Sequence, residues 1–250
     1  MRYLCFQRQA TPQGGRKVTP IVKTKDRKYG PVVDTEIVGR KTPTLITGMH
    51  DSGKSRMLDR LHAEERDIWG AKIKAPALWL GALRPLGAWS DAPHVAAWWE
   101  RRAELLRAQC QPGDPVDPGK CREWQKLKAW EKVEALPDYV ADTGAVLFID
   151  DAHKLAGRKL QIARACTLAA RVWLATASDE NRIPPNLRAV MLRRQPQMIR
   201  LGSDVAYDAT NVFTWLLAVL LIATGAWEAG FVVAGLKALA GSRLAARQDA

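Results

Sequence analysis

The sequence is poor in cysteine and in histidine, with four of each in 250 residues. Cys5, Cys110, Cys121 and Cys166 contain no C-x-x-C pair, and no histidine stands at ligand spacing from any two of them. That leaves no thiolate metal set and no disulfide framework, so the expectation is reduced thiols in a cytosolic compartment. Cys110 and Cys121 flank a Pro/Gly/Asp loop and are the one pair that could in principle bridge. Acidic residues are the minority, 26 against 38 Lys and Arg, for a net charge of +12. Such an excess points to a polyanionic neighbour: nucleic acid, an anionic membrane surface or a nucleotide. No apolar core precedes the first charges at Met1 to Phe6, so no secretory signal is expected and the N-terminus should stay inside the cell. Disorder is excluded by a hydrophobic content of 47%, which suffices for one α/β domain with extra segments.

What is present is a phosphate-binding loop. Gly48-Met49-His50-Asp51-Ser52-Gly53-Lys54-Ser55 is G-x-x-x-x-G-K-S, preceded by the apolar run Thr44 to Thr47 and followed by the helix-prone Arg56 to Leu61. Triphosphate is a concentrated anion, and a ring of backbone N–H groups at a helix N-terminus holds it well. Gly48 and Gly53 allow the tight turn and the close approach, with Asp51, Ser52 and Arg56 completing the binding segment. Lys54 would reach the β- and γ-phosphates of ATP, and the Ser55 hydroxyl would ligate the accompanying Mg2+.

A second nucleotide element lies about a hundred residues on, at Ala145 to His153. Its apolar run reads as a buried strand, and Asp150-Asp151 falls at the C-terminal tip, where ligands bind in open α/β sheets. Asp150 would hold magnesium, and Asp151 stands where a general base could orient the attacking water. A third strand, Arg171 to Thr176, follows a helix over 155–170 and ends in Thr176, Ser178 and Asp179. Thr176 could hydrogen-bond the attacking water or the γ-phosphate. Asn181 to Arg188 turns into a short helix ending in Arg193-Arg194, and 197–201 reads as a last strand. Arg188 and Arg193 are the candidates to reach the γ-phosphate of a neighbouring subunit, which would make the protein a homo-oligomer.

The expected fold is therefore α/β, a parallel sheet flanked by helices over residues 43–202. The helix after the loop should run to about Trp69, and 77–80 is a second strand. A Trp-rich helical insertion occupies 93–136, broken by the Pro/Gly/Asp loop at 111–119. Residues 1–42 form a basic, β-prone N-terminal arm read as a hairpin or small sheet with a positive face. That face could contact phosphate, nucleic acid or lipid, though no interleaved aromatic set favours nucleic acid.

The order of loop, acidic strand, Thr-ended strand, Pro-Pro-x-Leu-Arg helix and final strand resembles the AAA-type branch of P-loop ATPases. Asp150-Asp151-Ala152-His153 is similar to the Asp-Glu-Ala-His motif of some members, with Asp for Glu. The resemblance implies that Lys54 and Ser55 contact phosphate and magnesium, that Asp150 holds magnesium, that Asp151 is the base and that Thr176 is a sensor. A helical lid usually follows the last strand in that family. Here an apolar segment takes its place.

That segment, residues 211–240, runs from Val212 to Trp227 without a charge, and past Glu228 to Leu236; a short basic tail fills 241–250. Twenty-five helical residues would extend ~37 Å, enough to cross a ~30 Å hydrocarbon core. Glu228 would cost of the order of ~3 kcal/mol near the middle. Three arrangements stay open: a single span, a helical hairpin breaking at Gly225 to Gly230, and a buried helix pair on a soluble domain. Lys237, Arg243 and Arg247 after the segment favour the hairpin by the positive-inside rule. A P-loop domain followed by a late apolar span is similar in layout to the zonula-occludens-toxin-like assembly ATPases that phages use. The expectation is an ATPase at the cytoplasmic (inner) membrane, with its nucleotide domain in the cytoplasm, coupling ATP to transport, assembly or remodelling. The alternative is a soluble, cytoplasmic nucleotide switch or DNA-binding adaptor that hydrolyses ATP poorly.

Overall fold

The computed structural model describes residues 2–10, 16–25, 30–70, 75–109, 122–201, 220 and 223–224. All but the last three belong to one compact unit, Met1–Ser203. Two sheets build it. β1 (Arg2–Ala10), β2 (Arg16–Lys25) and β3 (Val32–Ile37) form an antiparallel sheet in that order. β4 (Thr44–Gly48), β5 (Leu78–Gly81), β6 (Leu147–Asp150), β7 (Trp173–Ala177) and β8 (Gln197–Leu201) form a parallel sheet in the order β5-β6-β7-β4-β8.

The strands β4 to β7 are mostly apolar because both faces of the sheet are covered, while the edge strand β8 carries Gln197 and the exposed Arg200. Alternate residues go to opposite sides. Leu45, Leu78, Leu80, Leu147, Ile149, Trp173 and Ala175 join one core cluster. Against them pack α5 (Leu136–Thr143), through Leu136, Tyr139 and Val140, and α6 (Gly157–Ala169), through Ala163 and Cys166. α7 (Pro185–Leu192) adds Leu187 and Met191. Ile46, Phe148, Leu174 and Ile199 join the other cluster, with α1 (Lys54–Ala63) and α2 (Glu65–Trp69).

The helix predicted to run from the loop to Trp69 is thus interrupted. Glu64, at φ −99° and ψ 15°, leaves the helical range and separates α1 from α2. The Glu64 carboxylate pairs with Arg8 of β1, and its backbone N–H still reaches Arg60 O at 3.3 Å.

The basic N-terminal segment folds as a three-stranded sheet, one strand more than a hairpin. β1, running over Arg2–Ala10, carries too mixed a pattern to be read as a strand from its residues. Leu4, Val18 and Val22 enter the same core as α1 and α2. Polar ties fix the sheet: Gln197 Nε2 donates to Glu36 Oε1 (2.8 Å) and Ile37 O (2.9 Å), and its Oε1 accepts from Gly39 N (3.0 Å). Trp69 Nε1 donates to Arg40 O at 2.9 Å.

The Trp-rich insertion is helical where described: α3 (Pro93–Gln109), α4 (Ala129–Glu134) and the start of α5. Trp98 meets Trp99 and Tyr139 edge-on at 6.0 and 5.5 Å between centroids, so these rings pack on the core rather than form a platform. The 111–119 loop, Cys110 and Cys121 lie outside the described residues. So does the apolar segment 211–240, except Leu220, Ala223 and Thr224, where Thr224 N donates to Leu220 O at 3.0 Å. Among the described residues no helix is long and apolar enough to cross a membrane.

Candidate nucleotide-binding site

The sheet order sets the site. β7 lies between the loop strand β4 and the acidic strand β6, and register aligns Ile46 with Thr176 and Ile149 with Ala175. Asp150, the next residue along β6, is therefore level with Thr176, one strand away from the start of the loop. All three features meet at the C-terminal edge of a parallel sheet, where strand ends and helix N-termini leave a crevice.

The loop connects β4 to α1. Gly53, at φ +83°, caps α1 in the left-handed region, and Asp51 shares that region at φ 61°. A side chain on Gly48 would meet Leu201 O at 2.5 Å and Ser52 Oγ at 2.6 Å, so only glycine fits between the loop and β8. Lys54 is buried and its Nζ donates to Met49 O at 2.6 Å, curling over the loop it belongs to. Burial pushes its ammonium below the ordinary lysine value, against the opposing pull of Asp151 and Asp150.

Asp150 joins the loop to the acidic strand. Its Oδ1 accepts from Ser55 Oγ at 2.9 Å and from Thr176 Oγ1 at 2.6 Å. Thr176 is fully buried, and the same hydroxyl accepts from Asp151 N at 2.8 Å. A hydroxyl and a carboxylate converging from two elements fit a small hard cation, which takes one or two protein oxygens and completes its shell with phosphate and water. Among the described residues no group of three or more His, Cys, Asp or Glu offers a richer metal set.

Asp151 turns away from Asp150 on a left-handed backbone, φ 55°, and its Oδ2 lies 2.7 Å from Lys154 Nζ. His153 Nδ1 accepts from Ser178 N at 3.3 Å. Burial holds the His153 imidazole below its ordinary pKa; Asp151 pulls the other way, while Lys154, Lys54 and Arg182 push down with the burial.

Lys54, Ser55, Asp151, His153 and Lys154 border an open cleft of about 650 Å³. One wall is the loop and the first residues of α1: Met49, His50, Asp51, Gly53, Lys54, Ser55 and Arg56. The facing wall comes from the strand ends, with Leu83 beyond β5, Asp151, His153 and Lys154 beyond β6, and Ser178, Asp179 and Arg182 beyond β7. Gly48, Ser52, Asp150 and Thr176 do not line the cleft, but Ser52, Asp150 and Thr176 hydrogen-bond residues that do. Arg188 and Arg193 are not brought to it. Arg188 Nε is buried without a hydrogen-bond partner, and Arg193 is exposed just past α7. Lys154 and Arg182 were not singled out from the sequence, and His153 entered only as the last residue of the Asp-Asp-Ala-His stretch, without a role. The signal that could have found them is position, since each follows a parallel strand at its C-terminal end.

No protein-family model matches this chain. No curated protein matches it either. Among solved structures, the cytoplasmic domain of the Thermomonospora curvata Type VII secretion ATPase EccC is similar at a TM-score of 0.36 and 14% identity. The likeness covers 68% of this chain and 21% of that one, so this chain spans about a fifth of that structure's length. The helix-flanked sheet of five parallel strands is compatible with a P-loop fold.

Proposed function

We propose that the chain binds ATP with Mg2+ in this cleft and hydrolyses it. The observation that carries the reading is the contact of Ser55 with Asp150: the last residue of a G-x-x-x-x-G-K-S loop meets the tip of the acidic strand at 2.9 Å. Backbone N–H groups of 49–55 and Arg56 would hold the phosphate chain, and Lys54 would exchange Met49 O for β- and γ-phosphate oxygens. Ser55 and Asp150 would hold the magnesium, which when bound neutralises charge on the phosphates. Asp151 would accept a proton from the attacking water as its oxygen bonds to the γ-phosphorus. The bond to the β,γ-bridging oxygen breaks, its electron pair leaves with ADP, and inorganic phosphate is released. Thr176 fixes Asp150 through its side chain and Asp151 through its backbone N–H.

One observation favours a slower, switch-like use of the same site. Asp151 is paired with Lys154, so its carboxylate is free to take up the water only once that pair opens. A role at a membrane face rests on the composition of 211–240, and a nucleic-acid contact rests on the basic residues of 1–42. Magnesium-dependent phosphate release by the full chain, with Lys54→Ala and Asp151→Asn as controls, tests the hydrolase reading. Turnover that survives both substitutions would place the activity elsewhere; binding without turnover would favour the switch.

A further inference from the structure

Arg182 lies on the cleft wall that faces the phosphate loop. It closes a short turn, Glu180–Arg182, whose geometry is fixed at both ends. Asp179 Oδ1 accepts from Asn181 N at 2.7 Å, and Arg182 N reaches Asp179 O at 3.3 Å. Ile183, the next residue, is buried in the core, and Pro184-Pro185 starts α7. The backbone carrying Arg182 is therefore held, while its side chain is exposed. Among the described residues no hydrogen bond or ion pair engages its guanidinium.

Of the other cations at the cleft, Lys54 is committed to Met49 O and Lys154 to Asp151, while Arg56 stands on the loop's own wall at the start of α1, so Arg182 is the uncommitted cation of the facing wall. Lys54 belongs to the loop wall and Arg182 to the facing wall of strand ends. Two cations facing each other across a cleft, one of them unpaired, are stabilised by an anion placed between them. The loop fixes which part of the ligand that is. On the reading proposed above, Lys54 would reach the outer phosphates and Asp151 would orient the attacking water; Arg182 lines the same wall as Asp151, so this wall would meet the terminal phosphate.

We propose that Arg182 reads the terminal phosphate of a bound nucleoside triphosphate, and that it does so within its own chain. The inference rests on the cleft being the nucleotide site. Arg182 makes and breaks no covalent bond: its N–H groups donate to γ-phosphate oxygens, so a triphosphate is held more tightly than a diphosphate. Arg188 and Arg193, both away from the cleft, are not needed for that contact.

The experiment measures the affinity of the full chain for a non-hydrolysable Mg-ATP analogue and for Mg-ADP, in the parent, Arg182→Ala, Arg182→Lys and Lys54→Ala. Arg182→Ala should weaken the triphosphate by about ten- to a hundredfold, the size of a hydrogen bond to a charged group, and leave the diphosphate within about twofold. Arg182→Lys should recover part of the loss. An unchanged ratio of the two affinities overturns the proposal, as does an equal loss for both. Lys54→Ala separates the two levels: if it leaves both affinities intact, the cleft is not the nucleotide site at all. If it abolishes both while Arg182→Ala changes neither, only the role of Arg182 falls. Mixing Arg182→Ala with Asp151→Asn tests the second half of the proposal. At an ATP concentration that saturates the parent but not Arg182→Ala, the mixture should turn over no faster than the two variants measured apart, whereas turnover above that sum would mean that Arg182 acts on a neighbour and overturns the in-chain contact. Arg182 is exposed, so an unchanged melting temperature is expected of its variants and certifies the comparison.

Discussion

Ser55 donates its hydroxyl to Asp150 Oδ1 at 2.9 Å across a separation of 95 residues. The two ends of the site are thus joined by a direct contact, made possible because β7 spaces the loop strand from the acidic strand by one position. The contact uses an oxygen that Thr176 also reaches, so the site is prearranged by three side chains from three elements.

Replacing Thr176 by valine keeps its volume and removes the hydroxyl. Asp151 N loses its partner in a part-buried setting, while Asp150 Oδ1 keeps only Ser55; the unpaired amide costs about 1–3 kcal/mol. Differential scanning calorimetry should show a lower melting temperature, by about 2–4 °C per kcal/mol in a domain of this size. Thr176→Ser, which keeps the hydroxyl, should lose less. Equal losses for the two variants would mean that packing, not the hydroxyl, holds the strands' tips.

Gly48→Ala places a methyl group against the Leu201 carbonyl, at 2.5 Å, where no side-chain movement can relieve it. A loss of about 1–3 kcal/mol is expected in urea unfolding, as for other overpacked sites. Gly87→Ala, with nothing within 4 Å of the new atom, serves as the contrast and should stay within about 0.5 kcal/mol of the parent.

Asp151 occupies a left-handed backbone that asparagine tolerates well. Asp151→Asn should therefore fold normally and bind nucleotide as the parent does. Turnover should fall by about a hundredfold or more, the usual loss when a general base is removed. A variant with undiminished turnover would remove Asp151 from the chemistry.

Much of this was legible in the residues because it rests on local rules. The loop motif, the buried run ending in Asp150-Asp151 and the helix opened by Pro184-Pro185 each carry their own signal. Placement was less legible. Arg188 and Arg193 look equivalent to Arg182 in a sequence, since only the path of the chain after β7 decides which arginine meets the cleft. β1 was missed for a related reason: Leu4 is buried only because α1 and α2 lie under the small sheet, and its flanking charged and polar residues hide the strand's alternation. The break at Glu64 has no glycine or proline to announce it.

Acid should destabilise the fold in a definite window. Burial holds both His94 and His153 below the ordinary histidine value of 6.5, and His94 Nε2 is buried without a partner beside the Tyr139 ring. The folded chain keeps these imidazoles neutral, while the unfolded chain takes up protons as the pH falls through 6.5. Stability contributed by the neutral forms is complete above that pH and is lost progressively below it, down to the folded-state values. Melting temperatures measured from about pH 7.5 down to about 5.5 should decline below the midpoint, and His94→Phe should flatten the slope. A curve that rises on acidification would contradict the assignment.

The account turns on the cleft being a nucleotide site, and isothermal titration of the full chain with Mg-ATP tests that most directly. The parent should bind one nucleotide per chain, and Lys54→Ala should weaken binding by about tenfold to a hundredfold with the fold retained. Binding of equal strength in the two proteins, or no binding by the parent, would contradict it.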